Sequence, residues 1–217
     1  MTSPRPPDDF QQAFNQLDGE VARLHREFDT YRALFSGNES IDLLRRASEF
    51  TMAVIKDALA SDISRGIIRL IDKSALLGQP QVTLLWLADR LPVDFDLAER
   101  EGLAAILRDI RVLTGPFRDH GAMAPIRIDV SIRRGRLLRG MSLTDIAKVL
   151  HLMLDFVNVV RTHFGNVTVQ STDVIQIGST SQLLTVLRDG LALRDTRDRL
   201  RAGRMSLEQA CASLSLT

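Results

Sequence analysis

Apolar positions along the chain recur mostly at helical spacing. Over residues 8–35, Phe14, Leu17, Val21, Leu24, Phe28, Tyr31 and Leu34 share one face, and Asp8 and Asp9 supply the negative charge that favours a helix start. The other face mixes Glu20, Arg23, Arg26, Glu27, Asp29 and Arg32, and is expected to be solvated, with His25 exposed among them. After the turn at Ser36-Gly37-Asn38, residues 40–74 predict one long buried helix, ~50 Å from end to end at 1.5 Å per residue. Its stripe runs through Leu44, Ala47, Thr51, Val54, Ile55, Ala58, Leu59, Ile63, Ile67, Leu70 and Ile71, and it needs a partner. Gly66 marks a bend or a close crossing, and Arg69 and Asp72 share a face on which they form a structural ion pair.

A loop at Gly78-Gln79-Pro80 leads to a short helix capped by Thr83, carrying the only tryptophan, Trp86, and stopped by Pro92. Residues 94–114 predict a further helix, with Leu97, Leu103, Ile106, Leu107, Ile110 and Leu113 inward and Glu99, Arg100, Arg108 and Arg111 largely outward, broken or kinked at Gly115-Pro116. Between 117 and 140 strand and helix patterns compete. Ser142, with Asp145 three residues on, opens a helix whose stripe is Ile146, Val149, Leu150, Met153, Val157, Val160 and Phe164. The β-branched stretch 167–177 suggests a small hairpin, and Ser179 or Thr180 and then Ser206 cap two last helices. The fold class is mostly α, an up-and-down helical bundle with long antiparallel helices over 8–165. A disordered lead (1–7) precedes it, and a C-terminal appendage (166–217) of hairpin and helices follows.

Composition narrows the chemistry. With 28 Lys and Arg against 27 Asp and Glu in 217 residues, the chain is not coated with positive charge, though a local patch remains open. One patch stands out: Arg118, Arg127, Arg133, Arg134, Arg136 and Arg139 have little acidic relief, so they form either an RNA or phosphate contact or a solvated loop paired with acidic helices. The single cysteine, Cys211, excludes an internal disulfide and a cysteine-rich zinc site. The histidines are scattered, so no metal and no cofactor is expected, and no phosphate loop or nucleophile elbow is present. Without an apolar leader or a run of ~20 apolar residues, the expectation is a cytoplasmic chain with no membrane partner.

The wording of the second helix adds a family. Arg69-Leu70-Ile71-Asp72, preceded by Ser64 and followed after a loop by Val82-Thr83-Leu84-Leu85, resembles the HEPN-like helical domains of the abortive-infection U type, found in prokaryotic phage-defence and toxin–antitoxin systems. The likeness covers 39–91 and extends more faintly over 14–164. It implies an all-helical, often dimeric domain whose active members cleave RNA without metal, using an Arg and a His separated by about four to six residues. The Arg stabilises phosphate charge and the His moves a proton at the 2′-hydroxyl. Arg118 occupies the matching place, but Met123, Ala124 and Pro125 stand where the histidine belongs, and His120 is too close. Counting from Arg127 reaches Ile132, Arg133 and Arg134. The resemblance therefore implies an inactive or diverged member: a homodimer that binds RNA or a protein partner through the basic patch. The alternative is a dimeric helical interaction module with no nucleic-acid role.

Overall fold

The computed structural model describes residues 8–72, 82–93, 95–119, 142–164 and 180–214. Among them are seven helices and no strand: α1 (Asp8–Phe35), α2 (Asn38–Ile71), α3 (Leu84–Ala88), α4 (Leu97–Asp119), α5 (Leu143–His163), α6 (Thr180–Arg201) and α7 (Leu207–Leu214). The chain is a mostly α helical bundle. The expected lead, the 78–80 loop and the hairpin fall outside the described residues, as does the 117–140 segment apart from the end of α4. No described helix is long and apolar enough to cross a membrane.

Local signals explain most helix starts. At α5, the Ser142 hydroxyl accepts from the Asp145 backbone N–H (3.1 Å) while the Asp145 carboxylate accepts from the Ser142 N–H (3.2 Å), a full capping box. Thr83 Oγ1 accepts from Trp86 N at 3.0 Å and opens α3. Asp96 and Glu99 form the same reciprocal pair before α4, at 2.6 and 3.4 Å. Beyond α6, Gly203 (φ 65°) takes the left-handed conformation, and Arg204 N donates to Arg199 O at 2.9 Å, the closing bond of a Schellman turn.

Two expectations about helix continuity are corrected. α2 is interrupted at Ser48, where φ is −168° and ψ 97°. A stripe drawn through 44–71 assumes an unbroken rotation per residue, and one extended residue resets that phase. Leu44 lies before the break and is buried. Beyond it the buried residues are Ala53, Ala60, Ile63, Ile67, Leu70 and Ile71, whereas Thr51, Val54, Ile55 and Ala58 are exposed. α4, by contrast, passes through Gly115-Pro116 to Asp119. Pro116 removes one ladder hydrogen bond, but it lies in the last helical turn, and Thr114 Oγ1 donates to Ile110 O (2.8 Å) just before it.

The chain divides into two compact units that interleave along the sequence. Unit 1 holds, of the described residues, 8–29, 58–119 and 142–164. In it α5 packs on α4 and α3 on α4, around Leu17, Val21, Leu24, Ile63, Ile67, Leu103, Ile110, Val149, Met153 and Phe156. Gly66 is a close crossing rather than a bend: a Cβ there would collide with Leu24 Cδ2 and lie 3.3 Å from Arg23 Nη2. His25 is buried, not exposed. Its Nε2 lies 3.0 Å from Leu150 O, because position 25 flanks the apolar stripe and is covered by α5.

Unit 2 holds 30–57 and 180–214 of the described residues, so α6 and α7 group with the end of α1 and the start of α2. Tyr31 packs on Phe35 with ring centroids 5.2 Å apart. Burial, with Asp57 nearby, pushes the Tyr31 phenol up to about 12. Polar contacts hold α6 to α2: Arg188 to Glu39 (2.6 Å), Arg46 to Asp195, and Arg194 to the Arg46 carbonyl (3.3 Å).

Candidate functional site

The register of α4 places Leu103, Leu107 and Ile110 toward the core and leaves Arg108 and Arg111 exposed; Leu97, expected inward, is exposed because it is the first residue of the helix. α3 lies beside this helix. Between them is a cavity of about 450 Å³, floored by Leu85, Ala88, Leu91, Leu103, Ala104 and Leu107 and rimmed by Asp89, Arg100, Arg108 and Arg111.

The three arginines have different roles. Arg100 is spent on the backbone: Nε donates to Phe95 O (3.2 Å), and Nη2 donates to Pro92 O (2.6 Å) and Leu91 O (3.3 Å). It stitches the connection between α3 and α4 and so sets the pocket wall. Arg108 and Arg111 make no hydrogen bond or ion pair among the described residues. Residues three apart on a helix are surface neighbours, so the two guanidinium groups can converge on one anion. Arg90, in the turn just past α3, lies over the Trp86 ring, 4.2 Å from its centroid.

Two other polar clusters in unit 1 draw partners from within the unit. Arg23 donates to Glu20 (3.1 and 3.2 Å), to Asp62 Oδ2 (2.6 Å) and to Glu27. Burial opposes its charge, yet the carboxylates of Asp62, Glu27 and Glu20 prevail and hold its pKa above the ordinary value. Burial raises the Glu27 carboxyl despite Arg23 beside it. Arg69 joins this cluster by pairing with Glu20, so the pair expected between Arg69 and Asp72 gives way to one across helices. At the far end of α5, His163 Nδ1 lies 2.9 Å from Glu99 Oε2, and its ring stacks on Phe95 at 3.7 Å. That contact ties the ends of α4 and α5 together.

Of the residues singled out from sequence, Arg118 lies in the last turn of α4, seven residues beyond Arg111, with its side chain outside the described atoms. His120, Arg127, Arg133, Arg134, Arg136 and Arg139 lie outside the described residues. No described histidine lines the α3–α4 pocket. Among the described histidines, His25 faces a backbone carbonyl, His163 faces Glu99, and His151 lies 3.6 Å from Asp155. What sequence reasoning missed was the pairing of Arg108 and Arg111 with an apolar hollow. The spacing of Arg100, Arg108, Arg111 and Arg118 was a usable signal, since intervals of eight, three and seven keep to one helical face.

The fold and the pocket define a class: a helical protein with an arginine-rimmed cavity and no described catalytic constellation. No family model, curated protein or solved structure matches the chain.

Proposed function

We propose that this chain is a non-catalytic HEPN-like helical protein of a prokaryotic defence or toxin–antitoxin setting, and that it acts by binding RNA. The observation that carries the reading is the pair of exposed arginines on α4, Arg108 and Arg111, which have no acidic partner among the described residues. The same helix runs on to Arg118, and the sequence beyond it holds Arg127, Arg133, Arg134, Arg136 and Arg139. Together they would contact successive phosphates, an interaction that weakens steeply with salt because bound counterions are released. The family assignment is supported by the wording of residues 39–91. The absence of a histidine at the family's spacing from Arg118 supports the non-catalytic part.

Filter retention of single-stranded RNA at low and moderate salt tests the binding. Wild type should retain RNA in a salt-dependent way, and both Arg108→Glu with Arg111→Glu and Arg133→Glu with Arg134→Glu and Arg136→Glu should release it. Unchanged retention in both variants would sink the reading. Incubation with total RNA, wild type beside Arg118→Ala, tests the rest: cleavage by wild type alone would make the protein a ribonuclease.

A second reading rests on unit 2, where Phe50 is 66% exposed and Val186 62%, with Val54, Leu183 and Leu193 also at the surface. Large apolar side chains left at the surface of α2 and α6 offer material for an interaction surface. They favour a homodimeric or partner-binding helical module. Sedimentation of Phe50→Glu and Val186→Glu beside wild type decides it: an oligomer that persists in both variants removes this support.

A further inference from the structure

The α3–α4 pocket joins two features that RNA phosphates alone do not use. Its floor is aliphatic throughout: Leu85, Leu91, Leu103 and Leu107 are nearly buried, with Ala88 and Ala104 between them. Among the described residues no aromatic ring lines it for a base to stack on, and of the four described polar side chains Arg100 is already committed to three carbonyls. Its rim offers two uncommitted cations, Arg108 and Arg111, side by side on one helix face. A cavity of about 450 Å³ falls within the usual size of a small-ligand site.

We propose that this pocket binds a medium-chain fatty carboxylate, its two oxygens held by Arg108 and Arg111 and its saturated chain laid along the leucine floor. Charge complementarity fixes the head group: guanidinium groups pair with carboxylates in short, charge-assisted hydrogen bonds. The floor fixes the tail, because a saturated chain needs no hydrogen-bond partner there, whereas a nucleobase would bury polar edges without donors or acceptors to meet them. Arg100, by clamping the Leu91, Pro92 and Phe95 carbonyls, keeps the wall in place before the ligand arrives. The site shares Arg108 and Arg111 with the RNA reading, but the leucine floor is its own, and the site would exist in a chain that binds no nucleic acid.

Calorimetric titration of the full chain with hexanoate, octanoate and decanoate tests it, with Trp86 fluorescence reporting from α3. Saturable one-to-one binding is expected, tightening roughly fourfold per methylene until the floor is covered. Arg108→Gln with Arg111→Gln should weaken decanoate binding at least about tenfold. Ala104→Phe, which places a ring in the cavity from an exposed helix position, should abolish the gain with chain length while circular dichroism stays that of wild type. Decanol binding as tightly as decanoate would show that the arginine rim contributes nothing and overturn the proposal. So would adenosine monophosphate or inorganic phosphate binding as tightly as decanoate, which would show that the floor contributes nothing. Non-saturable uptake, or Ala104→Phe binding like wild type, would assign the effect to a nonspecific surface and overturn it as well.

Discussion

Unit 1 and unit 2 share the two long helices α1 and α2, unit 1 adding α3, α4 and α5 and unit 2 adding α6 and α7, yet they bury their side chains differently. In unit 1, α5 hides eight apolar residues, Phe156 and Val157 completely, and its charged groups are mostly paired off. In unit 2, α6 spans Thr180–Arg201 and buries only Leu191, while Phe50, Val54, Ile55, Leu183, Val186, Leu193 and Leu207 remain at the surface. A helix covered on one broad face draws its stability from packing. One that leaves its apolar side chains in water keeps them available for something else. Unit 1 therefore reads as the packed scaffold that carries the arginine-rimmed pocket, and unit 2 as the part with more apolar surface left in water.

That contrast can be broken most sharply by truncating core side chains. Phe156→Ala should cost about 3–5 kcal/mol in urea denaturation, since it empties a fully enclosed site, whereas Leu191→Ala in α6 should cost clearly less. Equal losses would erase the difference between the units.

Two of the helical glycines, Gly66 and Gly190, should respond with opposite signs. Gly66→Ala pushes a methyl into Leu24 where α1 crosses α2, and should destabilise by about 1–3 kcal/mol. Gly190 has open space around it in α6, so Gly190→Ala should stabilise by about 0.5–1 kcal/mol. Thermal unfolding of the two variants beside wild type reads both signs.

The smallest effect is a pH slope that belongs to unit 1. Burial lowers the His25 pKa below its ordinary 6.5, despite the Leu150 carbonyl that favours the charged form. The unfolded chain then binds the proton more readily than the folded one. Stability from this group is full above 6.5, falls as pH drops below it, and levels off once pH passes the lowered folded value. Urea midpoints measured from neutral to mildly acid pH should show that decline in wild type and a flatter profile in His25→Gln. An unchanged slope would place His25 outside the pH response.

Elements that announce themselves locally were legible. Ser142 and Asp145 bracket the start of α5, and the stripe from Ile146 to Val160 shows which face is inside, because capping and helical periodicity act over a few residues. Thr83 before α3 and Ser206 before α7 were readable for the same reason. Elements that depend on another segment were not. No glycine or proline marks the break at Ser48, and nothing near His25 signals that α5 will cover it. Arg69 had a plausible partner three residues away, but Glu20 of α1 is the carboxylate that reaches it.

The candidate site divides along the same line. Sequence by itself determined that α4 would carry arginines on a helical face and that Leu103 and Leu107 would turn inward, since side-chain direction follows from helical rotation. Only the tertiary structure decided that α3 would lie beside that face, that Arg100 would be consumed by the carbonyls of the connecting turn, and that Arg108 and Arg111 would be left facing an aliphatic hollow. The physical reason is range: rotation and capping are settled within one or two turns of helix, whereas a pocket exists only where two separate surfaces meet.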